Sequence, residues 1–395
     1  RPPSHPKHKK YAAGKFVTVA AFPEAGCEIP VWSSLWIIQA WQLWLHAGNR
    51  DHLEENFGYV AQTLENFRRL TNERGLLDVP GAHNLIDWGN NDLSPYGEAT
   101  VNNVFLVHTL RLAAKMARAL ERESLAAEYE VEADTRTAAI NHYCWDDERN
   151  AYVDTVRDEW AYAKYAEWCR ANGDTPYPYE TYLSYGRVSE QSNTAALMCG
   201  CVPPERQAAV VAIIERVKDG RYVAGGPFLR TAGTPPESEA PDGIVAVGTP
   251  WFLFFTFQAL FQMGRADLVL DVIRRDWGEM VKCGSRTCWE TFKRGKRWTT
   301  SICHAWSAAP AVYHLTHILG IRPVEPGYRT FVIDPQPVDL TWARGSVATP
   351  FGPIYVSWFK QADGRLEIEC VAPPECERVA TAAEADAEAG LRMNV

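Results

Sequence analysis

Apolar and polar positions alternate along this chain with a helical period, and they do so in pairs of segments. From Pro30 the run Val31 to His46 is apolar nearly all round, with Trp32, Trp36, Trp41 and Trp44 among its residues. A helix apolar on every face is expected to be buried. Pro30 suits a first helical turn, where its missing N–H costs nothing. Gly48 and Asn49 suit the end of that helix, and Asp51 to Leu70 then has an amphipathic period. The pairing recurs over Asn102 to Leu120 and Ser124 to His142, and over Ser189 to Cys199 and Pro204 to Val217. It recurs again over Thr249 to Met263 and Asp267 to Val281, and Ala305 to Leu319 closes the series. A buried helix followed across a short turn by an amphipathic one is an αα-hairpin. A ring of such hairpins makes an α/α barrel. A solenoid is the structural alternative, but the chain lacks the fixed repeat length of solenoid arrays. The polar connections 76–98, 145–188, 220–248 and 284–304 are long, and in a barrel they gather at one rim.

The pattern changes to strands after Ile321. Tyr328 to Ile333, Pro353 to Phe359 and Arg365 to Val371 are the candidates, and Asp363-Gly364 is a hairpin-turn signal before the last of them. The expected organisation is a leading segment 1–28, a mainly α barrel domain 29–321, and a small β-sandwich 322–395.

Composition narrows the function classes. The chain has 395 residues, 46% hydrophobic and 23% charged, so it suits a folded chain with a sizeable core. A net charge of -9 argues against nucleic acid, which needs a basic face. The apolar run at 250–263 is too short for a membrane span of about 20 residues. The 10 Cys form no CxxC pair and no metal-ligand spacing, and scattered thiols suit a reducing, cytoplasmic compartment. No metal or organic cofactor is expected. The first residue is Arg, not Met, which suggests a processed or truncated chain.

The heavy aromatic load, 15 Trp and 16 Tyr, directs attention to acids set beside rings in the polar loops. Cleavage between sugars needs two carboxyl groups facing each other across the bond. Glu290 follows Trp289 in one such loop, and His304 opens the next helix, where its ring can bond a ligand hydroxyl. Pairing of Glu290 with Arg286 or Lys293 is the structural alternative. Asp87 adjoins Trp88 in another loop, and capping of a helix or turn is its structural alternative. Asp92 and Glu98 are further acids there, Glu98 suiting the start of the next helix. Trp32 stands near a helix N-terminus and therefore near the rim. Gln191 and Asn193 on an apolar helix face either a wet interior or the helix start.

These segments carry a resemblance. The strings GSRTCWETF and SICHAWSAAPAVYHLTHILGIRPVEPGY are similar to the end of the catalytic barrel of bacterial α-L-rhamnosidases, glycoside hydrolase family 78. So are EIPVWSSLWIIQAWQLWLHAGN, IDWGN and VGTPWFLFFTFQALFQMGRADLVLDVIRRDWGEMV, and PVDLTWARGSVATPFGPIYVSW resembles the β-sandwich behind that barrel. The resemblance implies an (α/α)6 six-hairpin barrel, incomplete at its N-terminus. It implies inverting hydrolysis of terminal α-L-rhamnose from a rhamnose-containing glycoside, with a homodimer as a compatible assembly. Glu290 would be the general base that activates water. His304, Trp32, Trp88 and Trp289 would bind the sugar, with Asp87 beside the pocket. The family's general acid lies in an acidic motif upstream of the IPVW segment; no such motif is found here, so the acid is expected before Arg1. Ser33 and Ser34 stand where many relatives have an Asp, and the segment 155–187 looks longer than usual. Another six-hairpin glycosidase, or a sugar-binding remnant without its acid, is the alternative function.

Overall fold

A computed structural model describes residues 29–80, 82, 84–87, 89, 91–92, 97–220, 243–292 and 301–381. Trp88 and Lys293 lie outside the described residues, as does the whole leading segment 1–28.

The helical part is built from antiparallel pairs. Helices α1 (Pro30–Ala47) and α2 (Arg50–Arg69) form the first, α3 (Thr100–Ala119) and α4 (Glu123–Tyr143) the next. The segment that the sequence suggests is a long loop carries two further helices, α5 (Glu159–Ala171) and α6 (Tyr179–Ser184). Then come α7 (Glu190–Met198) and α8 (Gln207–Ile214), followed by α9 (Pro250–Gln262). The partner of α9 is α10 (Ala266–Val272), which runs through a π-helical turn at Ile273–Trp277 into α11 (Gly278–Lys282). Last is α12 (Ala309–Tyr313), with a second π turn at His314–Ile318.

Burial separates inner helices from outer ones. Most residues of α3, α7 and α9 are buried, whereas α2 buries one stripe, Leu53, Phe57, Val60, Leu64 and Phe67. That stripe has the spacing of one helix face, and its burial is what makes the pair stable. Each inner helix ends in a short turn and begins after a long connection. The long connections therefore share one rim, at the N-termini of the inner helices. Glu290, Asp87, Trp32 and the α5–α6 excursion all belong to that rim.

Helix α1 departs from expectation. Its apolar composition predicts burial on every face, but only Pro30, Val31, Ser33, Ser34 and Ile37 are buried, and Leu43 is 45% exposed. The helix packs on α3, on α2 and on the turn at Pro326–Tyr328, and the described elements leave the rest of its surface uncovered. Gly48 ends the helix at φ +63°, and a Cβ there would stand 3.0 Å from the backbone of Gly327. A glycine is thus needed both for the left-handed cap and for the close approach.

The strand-rich part starts at β5 (Ile321–Pro323) and β6 (Thr330–Ile333); four shorter strands, β1 (Trp145–Asp146), β2 (Ala151–Tyr152), β3 (Val188–Ser189) and β4 (Ile244–Val245), lie within the rim connections. Strands β7 (Trp342–Thr349), β8 (Gly352–Lys360) and β9 (Leu366–Val371) form an antiparallel sheet, and β10 (Glu377–Arg378) joins β6 and β5 in a second. The β8–β9 turn falls at Asp363-Gly364, with Gly364 at φ +89°. Strand β7 is unforeseen in the sequence: only Val347 of its residues is buried, so it lacks the apolar alternation that marks a strand. Trp358 on β8 is fully buried and donates its indole N–H to the Ile318 carbonyl at 3.0 Å, which ties the sheet to the last helix. No helix among the described residues is long and apolar enough to cross a membrane.

Candidate active site

Two short backbone segments hold Glu290 in place. The His304 N–H donates to the Cys288 carbonyl and the Glu290 N–H to the Ser301 carbonyl, each at 2.9 Å. This ladder-like pairing sends neighbouring side chains to opposite sides. Trp289 turns inward, 4% exposed, with its indole N–H donated to Ser285 Oγ at 2.9 Å. Glu290 turns outward, its side chain 30% exposed. Its Oε2 accepts the Ser301 N–H at 2.9 Å and lies 3.9 Å from His304 Nδ1. Ser307 Oγ donates to the Trp289 carbonyl at 2.6 Å, and the Trp306 indole N–H donates to the Glu290 carbonyl at 3.3 Å. The carboxylate is thus fixed through its backbone on both sides and keeps an oxygen face toward solvent.

An aromatic row leads away from it. The His304 and Trp306 rings stand 4.3 Å apart, and Trp306 stacks on Trp251 at 6.0 Å with 29° between planes. Trp251 and Trp306 are both half-buried. Trp251 belongs to the first turn of α9, and that turn is anchored by Asp87. Asp87 is fully buried. Its Oδ2 accepts the Gly248 N–H at 2.6 Å and the Thr249 N–H at 3.3 Å, while Oδ1 accepts the Thr249 hydroxyl at 2.7 Å. Thr249 is the residue before the helix and makes no cap bond to its own helix; Asp87, from a distant loop, holds that residue and the one before it. Its negative charge also faces the positive end of the α9 dipole. Gln191 Nε2 donates to the same Oδ2 at 3.1 Å.

The residues singled out in the sequence therefore fall into two groups. Glu290, His304 and the half-buried Trp32 stand on the open rim. Asp87 and Trp289 stand behind it, engaged in holding the rim together. Asn193 is neither a helix cap nor a pocket group: it clamps the backbone of Tyr152, accepting that residue's N–H at 3.0 Å and donating to its carbonyl at 3.1 Å. Gln191 braces Asp87, and Ser189 itself caps α7. Asp92 forms a buried pair with Arg157, at 2.5 and 2.6 Å. Glu98 is fully buried and accepts from Asn72 Nδ2 at 2.8 Å; burial pushes its carboxyl up to about 7.

Two buried carboxyls beneath the rim escape a sequence search. Asp154 accepts from Ser189 Oγ and Ser192 Oγ, both at 2.5 Å, and burial raises it to about 6. Glu190 accepts the Val247 N–H at 3.0 Å, and burial raises it to about 7. Neither adjoins a Trp or Gly, so nothing local separates them from surface acids. Trp251 and Trp306 are missed for the opposite reason: each sits in an apolar run that reads as core. Among the described residues no group of three or more His, Cys, Asp and Glu could hold a metal ion.

Known proteins place this architecture. Residues 6–231 and 240–318 match the family described as the bacterial α-L-rhamnosidase six-hairpin glycosidase domain. Residues 320–385 match the bacterial α-L-rhamnosidase C-terminal domain. An α-L-rhamnosidase of Streptomyces avermitilis is 26% identical over 381 residues, 91% of this chain and 30% of the relative. A family GH78 rhamnosidase of Bacillus sp. GL1 superposes with a TM-score of 0.72 at 30% identity, over 90% of this chain and 33% of that one. The structure of the Streptomyces avermitilis α-L-rhamnosidase complexed with L-rhamnose gives a TM-score of 0.60 at 22% identity, over 88% of this chain and 29% of that one. The chain thus spans about a third of the length of these relatives. With the helical hairpins and the strand-rich part each matched in order, the chain belongs to the bacterial α-L-rhamnosidase six-hairpin glycosidase family and carries that family's C-terminal domain.

Proposed function

We propose that this protein hydrolyses terminal α-L-rhamnosides with inversion, and that Glu290 is the base that activates water. The observation that carries this is the setting of Glu290: a rim carboxylate held through its backbone, with one oxygen fixed by the Ser301 N–H and His304 beside it. A general base must have its carboxylate placed before the substrate arrives and must leave room for water. The backbone bonds that hold Glu290 and the 30% exposure of its side chain support this reading. Water loses a proton to Glu290 as its oxygen bonds to the anomeric carbon. The bond from that carbon to the aglycone oxygen breaks, and the departing oxygen takes its proton from a second carboxyl group. His304 bonds a sugar hydroxyl, and Trp32 lines the rim. Asp87 and Trp289 position, one through the N-terminus of α9 and the other by anchoring the inner side of the Glu290 segment.

Replacement of Glu290 by Gln in the full-length protein tests the assignment. Turnover of an aryl α-L-rhamnoside is lost while rhamnose binding, read by calorimetry, persists. Turnover close to that of the unmodified protein would overturn it. The stereochemistry is read separately by NMR: the first sugar released is the β anomer, and release of the α anomer overturns inversion.

A further inference from the structure

We infer that the outward face of the β7–β8–β9 sheet binds a neutral polysaccharide chain, at a site made from none of the residues of the Glu290 rim. The inference does not rest on the rhamnoside hydrolysis proposed above.

The register of the sheet builds the site. Side chains alternate across a sheet, so residues paired across strands share a face. One face is packed: Val347, Ile354, Val356 and Trp358 are buried on it, and Trp358 ties it to the Ile318 carbonyl. The other face is turned away from the last helix and is crossed by three rows. The first sets Trp342 opposite Phe359. The middle row is polar, with Ser357 between Arg344 and Glu369. The third sets Tyr355 between Ser346 and Val371. Trp342, Phe359, Tyr355 and Val371 are all exposed. Apolar residues scattered singly over a surface need no explanation, whereas a group gathered on one face marks a contact. Rings opposed across strands also stabilise a sheet. That accounts for Trp342 and Phe359 but not for Tyr355, whose cross-strand neighbours are Ser346 and Val371.

The order of the rows selects the ligand. The face of an aromatic ring is negative and attracts C–H groups. A sugar ring presents C–H groups on its faces and hydroxyls at its edge. The middle row serves those hydroxyls in both senses, since a guanidinium donates and a carboxylate accepts. Ser357 Oγ donates to Glu369 Oε2 at 3.1 Å and so orients that carboxylate, and the Arg344 guanidinium lies 6.0 Å from the centre of the Trp342 ring. Glu367, opposite Phe359, adds a second carboxylate. The face thus sets two anions against one cation. A polyanion is repelled by that balance, and an apolar protein surface would strip water from three charges. A neutral polyhydroxylated chain meets neither penalty. Phe359 and Tyr355 stand four residues apart on β8, about 14 Å at roughly 3.4 Å per residue, which is more than one sugar ring. A face without walls also accepts the middle of a chain as readily as its end. The occupant is therefore a polysaccharide and not a single sugar.

The test is affinity electrophoresis of the full-length protein in gels that hold hydroxyethylcellulose or galactomannan, both neutral, or polygalacturonate, a polyanion. Migration is retarded in at least one neutral gel. Trp342→Ala weakens that affinity about tenfold or more, while kcat/KM on an aryl α-L-rhamnoside stays unchanged. Tyr355→Ala leaves the Trp342–Phe359 pair intact and weakens the affinity as well, so the test holds even if loss of Trp342 disturbs the sheet. Circular dichroism melts identify the folded variants. Absence of retardation in both neutral gels overturns the site, as does retardation by polygalacturonate alone. Retardation that persists unaltered in folded Tyr355→Ala overturns it too. So does a dimer, read by analytical ultracentrifugation, that Tyr355→Ala dissociates, because the face is then an interface between copies of this chain.

Discussion

Asp87 braces the start of helix α9 from 162 residues away: its carboxylate accepts the Thr249 hydroxyl at 2.7 Å and the Gly248 N–H at 2.6 Å. Two rim loops are thereby fixed to each other, and the first turn of α9 is placed beneath the aromatic row that leads to Glu290. Gln191 reinforces the link, donating to Asp87, to Asn91 Oδ1 and to the Ala246 carbonyl.

Substitution of Asp87 by Ala removes this brace and leaves more than one buried donor without an acceptor. An unsatisfied buried donor costs about 1–3 kcal/mol. The expected destabilisation is therefore about 2–4 kcal/mol by denaturant unfolding. Asp87→Asn recovers only part of it, since one amide end cannot accept the Gly248 N–H. Both variants raise KM and lower kcat together, as misplacement of a whole wall does. Unaltered stability in Asp87→Ala would show that the brace is dispensable.

Arg157 and Asp92 carry the α5–α6 excursion. Arg157 Nε and Nη2 donate to the two Asp92 oxygens, and Nη1 donates to the Tyr182 carbonyl at 2.9 Å. Their side chains are 9% and 4% exposed, so this is a buried pair. Removing one partner from such a pair costs about 3–5 kcal/mol because the other charge is stranded. Arg157→Met is expected to show that loss, together with faster amide hydrogen exchange across α5 and α6. Replacing both residues by apolar ones of similar size recovers much of it. Exchange rates in α5 and α6 that do not change in Arg157→Met would contradict this anchoring.

Glu98 makes stability depend on pH. Burial raises its carboxyl from the usual 4.5 to about 7, so the folded chain holds this proton more tightly than the unfolded one. A group of this kind contributes its stabilisation fully below about 4.5 and loses it progressively as pH rises to about 7. The shift corresponds to a loss on the order of 3 kcal/mol across that window. Glu98→Gln removes the titration and keeps an acceptor for Asn72. Its melting temperature is expected to exceed that of the unmodified protein above pH 7 and to vary less between pH 4.5 and 7. Parallel pH profiles for the two proteins would rule out Glu98 as a source.

Much of the helical architecture is legible along the chain because it is local. The five Leu, Phe and Val positions that α2 buries recur at three- and four-residue steps, and such steps mark a helix face without further information. Helix α5 is legible too, though it is easily passed over. Asp158 accepts the Ala161 N–H as a cap, and Ala161, Tyr165 and Cys169 are buried at four-residue steps. Its signal is diluted by the polar and aromatic residues around it. Strand β7 is not legible, because its exposed positions include Trp342 beside Arg344 and Ser346 while the positions between them are the small Ala343 and Gly345, so no apolar alternation appears.

The sequence by itself determined the hairpin series, the change to strands after Ile321, the turn at Asp363-Gly364 and the segment that bears Glu290. Each of these depends on residues within a few positions of one another, where periodicity and turn chemistry act. Only the tertiary structure decided which way neighbouring side chains face and what distant groups meet. It turned Trp289 inward and Glu290 outward, gave Asp87 to α9, left part of α1 uncovered among the described residues, and buried Asp154, Glu190 and Glu98. Those outcomes follow from dehydration and hydrogen bonding between segments far apart in the chain, and no local pattern encodes a partner that the fold has yet to bring near.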